Sequence, residues 1–417
     1  MRRTVLFAAA LSLAGTAFGC KSARTGALPE IPTWQKRPSW AMAVTTRRQL
    51  TVDTATIGED YERGQPEIDW RRNRVFVGSA DRGLYALRAE DLSTLWRFQT
   101  LGVVQCEPLY DVAEDVVYFG SNDGAIYKVH ASTGEMIWRF ATNAEVSRRP
   151  VLAGGILYAV NANDTIIALD PESGELRWTQ HRTPAYGMEI AGHAGPTVAN
   201  GRVYTSFSDG RVFAFDAQDG KERWSTDLAA EAESAAGGDA PRYLDSDATP
   251  IVLRTETASY VFVASYAGGV YALDAGTGSR MWANEKAKGV SDLAVWDEPA
   301  HAPRDGGPMI PRRRMLLASS GTTGLWALDV DDGHDLWRRS LPEGGVSAPV
   351  NVAGAVMVST TRYGLFLISP IDGAVIDGIE TGTGFAMTPA AHGRRAFAFT
   401  NGGALLGIHL DAPRPTR

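Results

Sequence analysis

Residues 264–282 read ASYAGGVYALDAGTGSRMW. The glycine pair at 268–269 supplies a tight turn, because glycine reaches positive φ without steric cost. Val270 to Asp274 then alternates as a short strand, Gly276-Thr277-Gly278 turns again, and Trp282 ends the unit. The same plan recurs elsewhere. Residues 120–138 read GSNDGAIYKVHASTGEMIW, residues 206–224 SFSDGRVFAFDAQDGKERW, and residues 319–337 SSGTTGLWALDVDDGHDLW. Residues 78–96 and 160–178 follow it too. From Trp96 through Trp138, Trp178, Trp224 and Trp282 to Trp337 the spacings are 42, 40, 46, 58 and 55 residues. A period of that size marks a repeat architecture.

Each unit holds four strands. In one of them Val116 to Phe119 is a strand, Asn122-Asp123-Gly124 the hairpin turn, Ala125 to Val129 the next strand, and Glu135 to Phe140 the outer one. Most units carry a proline at the head of a further strand: Pro66, Pro108, Pro150, Pro196, Pro250, Pro349 and Pro389. Proline cannot donate to a ladder, so that strand is an edge strand and lines a central channel. The chain is therefore expected to be all-β, a propeller of four-stranded antiparallel blades. The tryptophans at 96, 138, 178, 224, 282 and 337 are expected to wedge between neighbouring blades. A seventh unit has Asp377 in the tryptophan position, and an eighth stops at Leu410 before its outer strand. The stretch Pro38 to Val44 has an outer strand's character, with Trp40 in the docking position. It is expected to complete blade eight and so remove the open sheet edges.

The ends of the chain have their own signals. Arg2-Arg3 followed by the apolar run Val5 to Ala14 reads as an export signal, too short to span a bilayer core of roughly 30 Å. Ala17-Phe18-Gly19-Cys20 follows. Small residues at that place before a cysteine resemble a bacterial lipobox, with Cys20 as the lipidated residue; ordinary cleavage before Cys20 is the alternative. The expected organisation is a signal peptide over 1–19, a Pro-containing tether over 20–37, the propeller over 38–410 and a tail over 411–417. The whole chain of 417 residues carries a net charge of −7, which offers no overall field for nucleic acid. Two cysteines, Cys20 and Cys106, exclude a disulfide scaffold and all-cysteine metal sites. Two stretches break the period: Asp227 to Asp247, acidic and Ala/Gly-rich, and Trp296 to Arg314, rich in proline.

The repeat at Gly269–Trp282 resembles that of the pyrroloquinoline-quinone propellers, a family of quinone-dependent dehydrogenases and non-enzymatic relatives. Within it, the lipobox, the tether, the closing strand and the segment Leu244-Asp245-Ser246-Asp247-Ala248-Thr249-Pro250 resemble the BamB-type lipoproteins of outer-membrane β-barrel assembly. That resemblance implies a scaffold without catalysis or cofactor, a monomer within a complex, at the periplasmic face of the outer membrane; Lys21 after Cys20 implies the same sorting. It implies two kinds of partner, a POTRA domain of the barrel subunit and unfolded β-barrel precursors. By resemblance Asp245 and Asp247 bind the POTRA domain; capping of a turn before Pro250 is the other reading. Met188 and Ile190 match a second contact segment of the family, in which Ala191 replaces an arginine.

Enzyme chemistry has thin support. The quinone-dependent relatives often clamp their cofactor with adjacent cysteines, and Cys20 and Cys106 are far apart. The histidines at 130, 181, 193, 301, 334, 392 and 409 form no H-E-x-x-H or H-x-H pattern. Asp329-Val330-Asp331-Asp332-Gly333 looks faintly like a calcium loop, but it stands where the other units have their D-x-x-T-G turn.

Overall fold

The computed structural model describes residues 41–51, 62–184, 194–228, 230, 246–300, 308–309, 311–342 and 345–411. Alternating apolar residues and positive-φ turns fold these segments into eight sheets of four antiparallel strands. Seven blades take their strands consecutively, over 66–99, 109–141, 151–181, 197–227, 251–284, 290–339 and 350–380. Blade eight takes three strands from residues 390–410 and its outer strand, Met42–Gln49, from the other end of the chain. The expected eight-bladed ring and its closure by the N-terminal strand are both found.

The core is a set of inter-blade layers. Among the described residues there are eight buried apolar clusters, and each draws on two neighbouring blades. A single twisted sheet buries little alone, so each blade is stable only against its neighbours.

The tryptophans show how a seam is locked. Every outer strand carries a bulge one residue before a fixed position, which in blades one to six is Trp96, Trp138, Trp178, Trp224, Trp282 and Trp337. The bulge re-aims the side chain toward the next blade. Each indole Nε1 donates to a carbonyl in that blade's last turn, at 2.9–3.1 Å: Ala131, Pro171, Ala217, Ala275, Val330 and Pro370 in order. The ring lies on a turn glycine, Gly134, Gly174, Gly220, Gly278, Gly333 or Gly373. A Cβ on any of these would stand 2.4–2.7 Å from the indole, and all six have φ between 67° and 76°. Tryptophan and glycine are thus two halves of one lock.

The two seams beside the closing strand differ. In blade seven Asp377 holds the tryptophan position, opposite Leu367. Its carboxylate accepts from the backbone N–H of Met42 on the closing strand and of Gly378, both at 2.8 Å. On the closing strand it is the Met42 N–H, rather than a turn carbonyl, that faces this seam, and an acceptor replaces the indole donor. In blade eight Trp40 lies outside the described residues, and the register gives the docking position to Thr46, opposite Gly407 after the same bulge. The reason is spacing, because the strand begins at Met42 and its bulge falls at Thr45. Across that seam Leu92 stands where other turns have glycine: its N–H bonds the Arg88 carbonyl at 2.8 Å, as Gly134 bonds His130. Leu92 has φ 59° and is fully buried among residues of blades one and eight. The bulk that tryptophan supplies elsewhere comes here from the facing turn.

The Trp296–Arg314 stretch is partly regular structure. It lengthens two strands of blade six, pairing Trp296 with Met315 and Glu298 with Arg313. Trp296 is buried in the seam between blades six and seven.

Candidate functional site: the channel mouth and the blade four–five connections

One face of the ring carries the connections between consecutive blades, and the channel opens there. Its wall is built by residues that precede or open the inner strands: Gln65, Glu107, Arg149, Gly195, Thr249, Asp292, Ala348 and Thr388, one from each blade. Proline follows seven of these eight residues, so the strand head carries no ladder donor and the preceding side chain turns into the opening. The cavity they enclose holds about 440 Å³.

Charge is concentrated on one side of it. Arg149 forms an ion pair with Glu67 at 3.0 Å and with Glu107. Burial raises the Glu107 carboxyl above the ordinary carboxylate range, against the pull of Arg149. Burial also lowers the affinity of Arg149 for its proton, but the two carboxylates outweigh it and hold the guanidinium charged. On the adjoining wall Arg148 Nη1 lies 3.7 Å from Asp292 Oδ1, and the Ser291 hydroxyl donates to the same carboxylate at 2.9 Å. Burial raises Asp292 as well. Cys106 is fully buried beside this group, its thiol pushed up to about 12 by burial, which makes it a small core residue rather than a nucleophile.

Of the sequence-derived partner residues only Asp247 is among the described residues. Met188 and Ile190, in the connection from blade three to blade four, lie outside the described residues, as does Asp245 in the connection from blade four to blade five. Cys20 lies outside them too. Asp247 is described and half-buried, after the fully buried Ser246, whose hydroxyl donates to the Ala264 carbonyl at 2.7 Å. The ends of the two connections meet on this face. The Gly195 N–H donates to Thr249 Oγ1 at 2.9 Å, and the Thr197 hydroxyl donates to the Pro250 carbonyl at 2.6 Å. The last described residues before blades four and five are therefore bonded to each other, although more than fifty residues apart in sequence.

Sequence reasoning missed Glu67, Glu107, Arg148, Arg149 and Asp292. A signal existed for the middle three: the residue before each inner-strand proline lines the channel, and Glu107-Pro108 and Arg148-Arg149-Pro150 are charged there. The calcium-like run is a turn. Gly333 N–H bonds the Asp329 carbonyl at 3.0 Å and Asp331 N–H bonds the Asp329 carboxylate at 2.8 Å. Asp329, Asp332 and His334 do bring ligand atoms within 4.8 Å of one another, but Asp332 and His334 are exposed and already bonded together.

Comparison with known proteins gives three findings. The family model described as "Outer membrane protein assembly factor BamB" matches residues 102–298 and 291–411. A curated protein of that description from Legionella pneumophila (strain Paris) is 24% identical over 175 residues, 42% of this chain and 40% of the relative's length. Among solved structures, BamB from Moraxella catarrhalis superposes with a TM-score of 0.66 at 20% identity, covering 88% of this chain and all of that one. A quinohemoprotein alcohol dehydrogenase from Pseudomonas putida reaches 0.63 at 14% identity over 90% of this chain and 77% of its own. A europium-containing methanol dehydrogenase gives 0.63 at 14%, over 88% and 93%. At such identities the structural matches establish the propeller fold alone.

Proposed function

The chain belongs to the outer membrane protein assembly factor BamB family, and from that premise we propose that it is a non-catalytic protein-binding scaffold of outer-membrane β-barrel assembly. In this reading it docks a POTRA domain of the barrel subunit and helps present unfolded barrel precursors. The observation that carries the reading is the family match, which runs through seven of the eight blades rather than over one repeat. Geometry supports the site. Gly195 and Thr249, which follow the two connections, are hydrogen-bonded to each other, and this supports a reading in which one partner engages both connections. Carboxylates beside apolar residues suit a partner bearing lysine or arginine. Cys20 would hold the protein to the periplasmic face of the outer membrane by its lipid, through the tether over 20–37. Precursor strands would add to exposed outer strands by main-chain pairing. Blades one and two offer exposed apolar residues there, Leu95, Met136 and Ile137.

The test is affinity purification of the tagged chain from mildly solubilised membranes, with the Asp245→Ala/Asp247→Ala variant run in parallel. Recovery of a POTRA-bearing barrel protein, reduced in the variant, is expected. Recovery unchanged in the variant would remove the site, and no such barrel protein would remove the role. Cys20→Ser is expected to move the chain to the soluble envelope fraction.

A further inference from the structure

At the end of the blades opposite the blade-to-blade connections, each inner strand turns into the second strand of its blade. In blades one and eight these turns read Asp69-Trp70-Arg71-Arg72 and His392-Gly393-Arg394-Arg395, four arginines to one aspartate in a chain of net charge −7. Trp70 is 56% exposed. It stacks on His392 with ring centroids 5.0 Å apart and planes at 4°, and the Arg71 guanidinium lies 5.2 Å from its ring centroid. The two turns thus form one aromatic and basic surface. Arg72 is paired with Asp115 at 2.9 Å, and Arg395 donates to Asn73 and to the Ala89 carbonyl. Arg71 and Arg394 are exposed and form no ion pair among the described residues. The closing strand begins at this same end. Ala43 pairs with His409, His409 with Arg395 and Arg395 with His392, one row across blade eight. The Ala41 carbonyl accepts from the Asp411 N–H at 2.8 Å beside that row, so the preceding chain joins the ring here.

We infer that this end of the ring is a membrane-contact face, on which the turns of blades one and eight meet the headgroups of anionic lipids. This rests on the reading that the chain is held to a membrane. An exposed indole suits the boundary between headgroups and acyl chains, and guanidinium groups beside it suit lipid phosphates. Blade seven adds Ile371, 69% exposed in its last turn at the same end. A lipid on Cys20 would reach the ring through the chain before Ala41, and so on the side that carries this surface. The connections between blades, Asp247 among them, then point away from the bilayer and stay open to a partner. Two guanidinium groups and an indole hold weakly by themselves. The face therefore orients a ring that the acyl chains anchor.

The experiment is vesicle co-sedimentation of the full mature chain carrying Cys20→Ser, so that no acyl chain contributes. The vesicles are phosphatidylcholine, alone or with added phosphatidylglycerol. Binding to the anionic vesicles and not to the neutral ones is expected, and it should fall as salt rises. Trp70→Ala and the Arg71→Gln/Arg394→Gln pair are each expected to weaken it about tenfold. Their thermal unfolding should stay that of the parent, because all three residues are exposed. The Arg82→Gln/Arg362→Gln pair removes the same charge at the opposite end of the blades and is expected to change binding by less than about twofold. An equal loss in both arginine pairs would mean adsorption by net charge, and either that or no binding to anionic vesicles overturns the inference. Self-association without vesicles, abolished by Trp70→Ala, would make the surface an interface between copies and overturn it too. Mass spectrometry of the native chain from membranes separates the face from the anchor. An acylated native chain, with no vesicle binding by Cys20→Ser, overturns the face and keeps the anchor. Vesicle binding by Cys20→Ser, with an unacylated native chain, sustains the face and removes the anchor.

Discussion

Six seams of the ring are closed by an indole laid on a turn glycine, and the two beside the closing strand by Asp377 and by Leu92. The six regular seams join blades made from continuous chain. Each has an outer strand preceded by its own tight turn, so each presents a carbonyl and a glycine to the tryptophan behind it. Blade eight receives its outer strand, Met42–Gln49, from the far end of the chain. The seam on one side then needs an acceptor for an N–H, and the seam on the other fills its volume from the facing turn. The repeat therefore fixes the blades, while the point where the ring is joined requires its own chemistry.

The largest effect should come from breaking a regular seam. Trp224 is 8% exposed, and its Nε1 bonds the Ala275 carbonyl at 3.1 Å. Trp224→Ala is expected to lower stability by about 3–5 kcal/mol in denaturant unfolding. A loss below about 1 kcal/mol would show that the indoles are ornaments of the repeat rather than its locks.

The irregular seam can be tested by converting it. Thr46→Trp puts an indole against the buried Leu92 and is expected to cost about 1–3 kcal/mol by overpacking. Adding Leu92→Gly recreates the pairing of the six other seams and should recover most of that loss, the more so because Leu92 has φ 59°. Additive costs in the double variant would mean that Leu92 and Thr46 do not share one volume.

Much of this was legible in the sequence, for identifiable reasons. Trp96 to Trp337, the turn glycines and the inner-strand prolines recur at fixed places, so the eight blades and the closing strand follow from local rules. The register of the closing strand was not legible. Trp40 is a tryptophan in an apolar stretch and was expected to dock, but the docking position depends on where the strand bulges, and that is set by pairing with Gly407 and Ile408 across the sheet. The partner residues were read from the segment before Pro250 by resemblance. Arg148 was not, because its contacts reach blades that lie about 100 and 144 residues away along the chain.

Removing the carboxylate that receives the closing strand should cost less than removing an indole. Asp377→Ala leaves the Met42 N–H without its acceptor in a buried seam, an expected loss of about 1–3 kcal/mol in the same unfolding measurement. A value near zero would transfer ring closure to strand pairing alone.

The smallest effect is the most specific. Burial raises the Asp377 carboxyl above its ordinary value, against the hydrogen bonds from Met42 and Gly378 that lower it. A carboxyl raised on folding binds its proton more tightly in the native state than in the unfolded one. Its contribution is thus fully present below the ordinary aspartate range and is lost as pH climbs through the raised value. Asp377→Asn keeps an acceptor for Met42 but cannot ionise. Comparing the two chains cancels the other carboxylates of the ring, many of which shift the opposite way, as Asp170 does. As pH rises above the ordinary aspartate range the native chain is expected to lose stability relative to Asp377→Asn, by on the order of 1 kcal/mol or less. A difference that moves the other way would mean that the bonds to the closing strand outweigh the burial, and that the ionised carboxylate, rather than the protonated one, fits the seam.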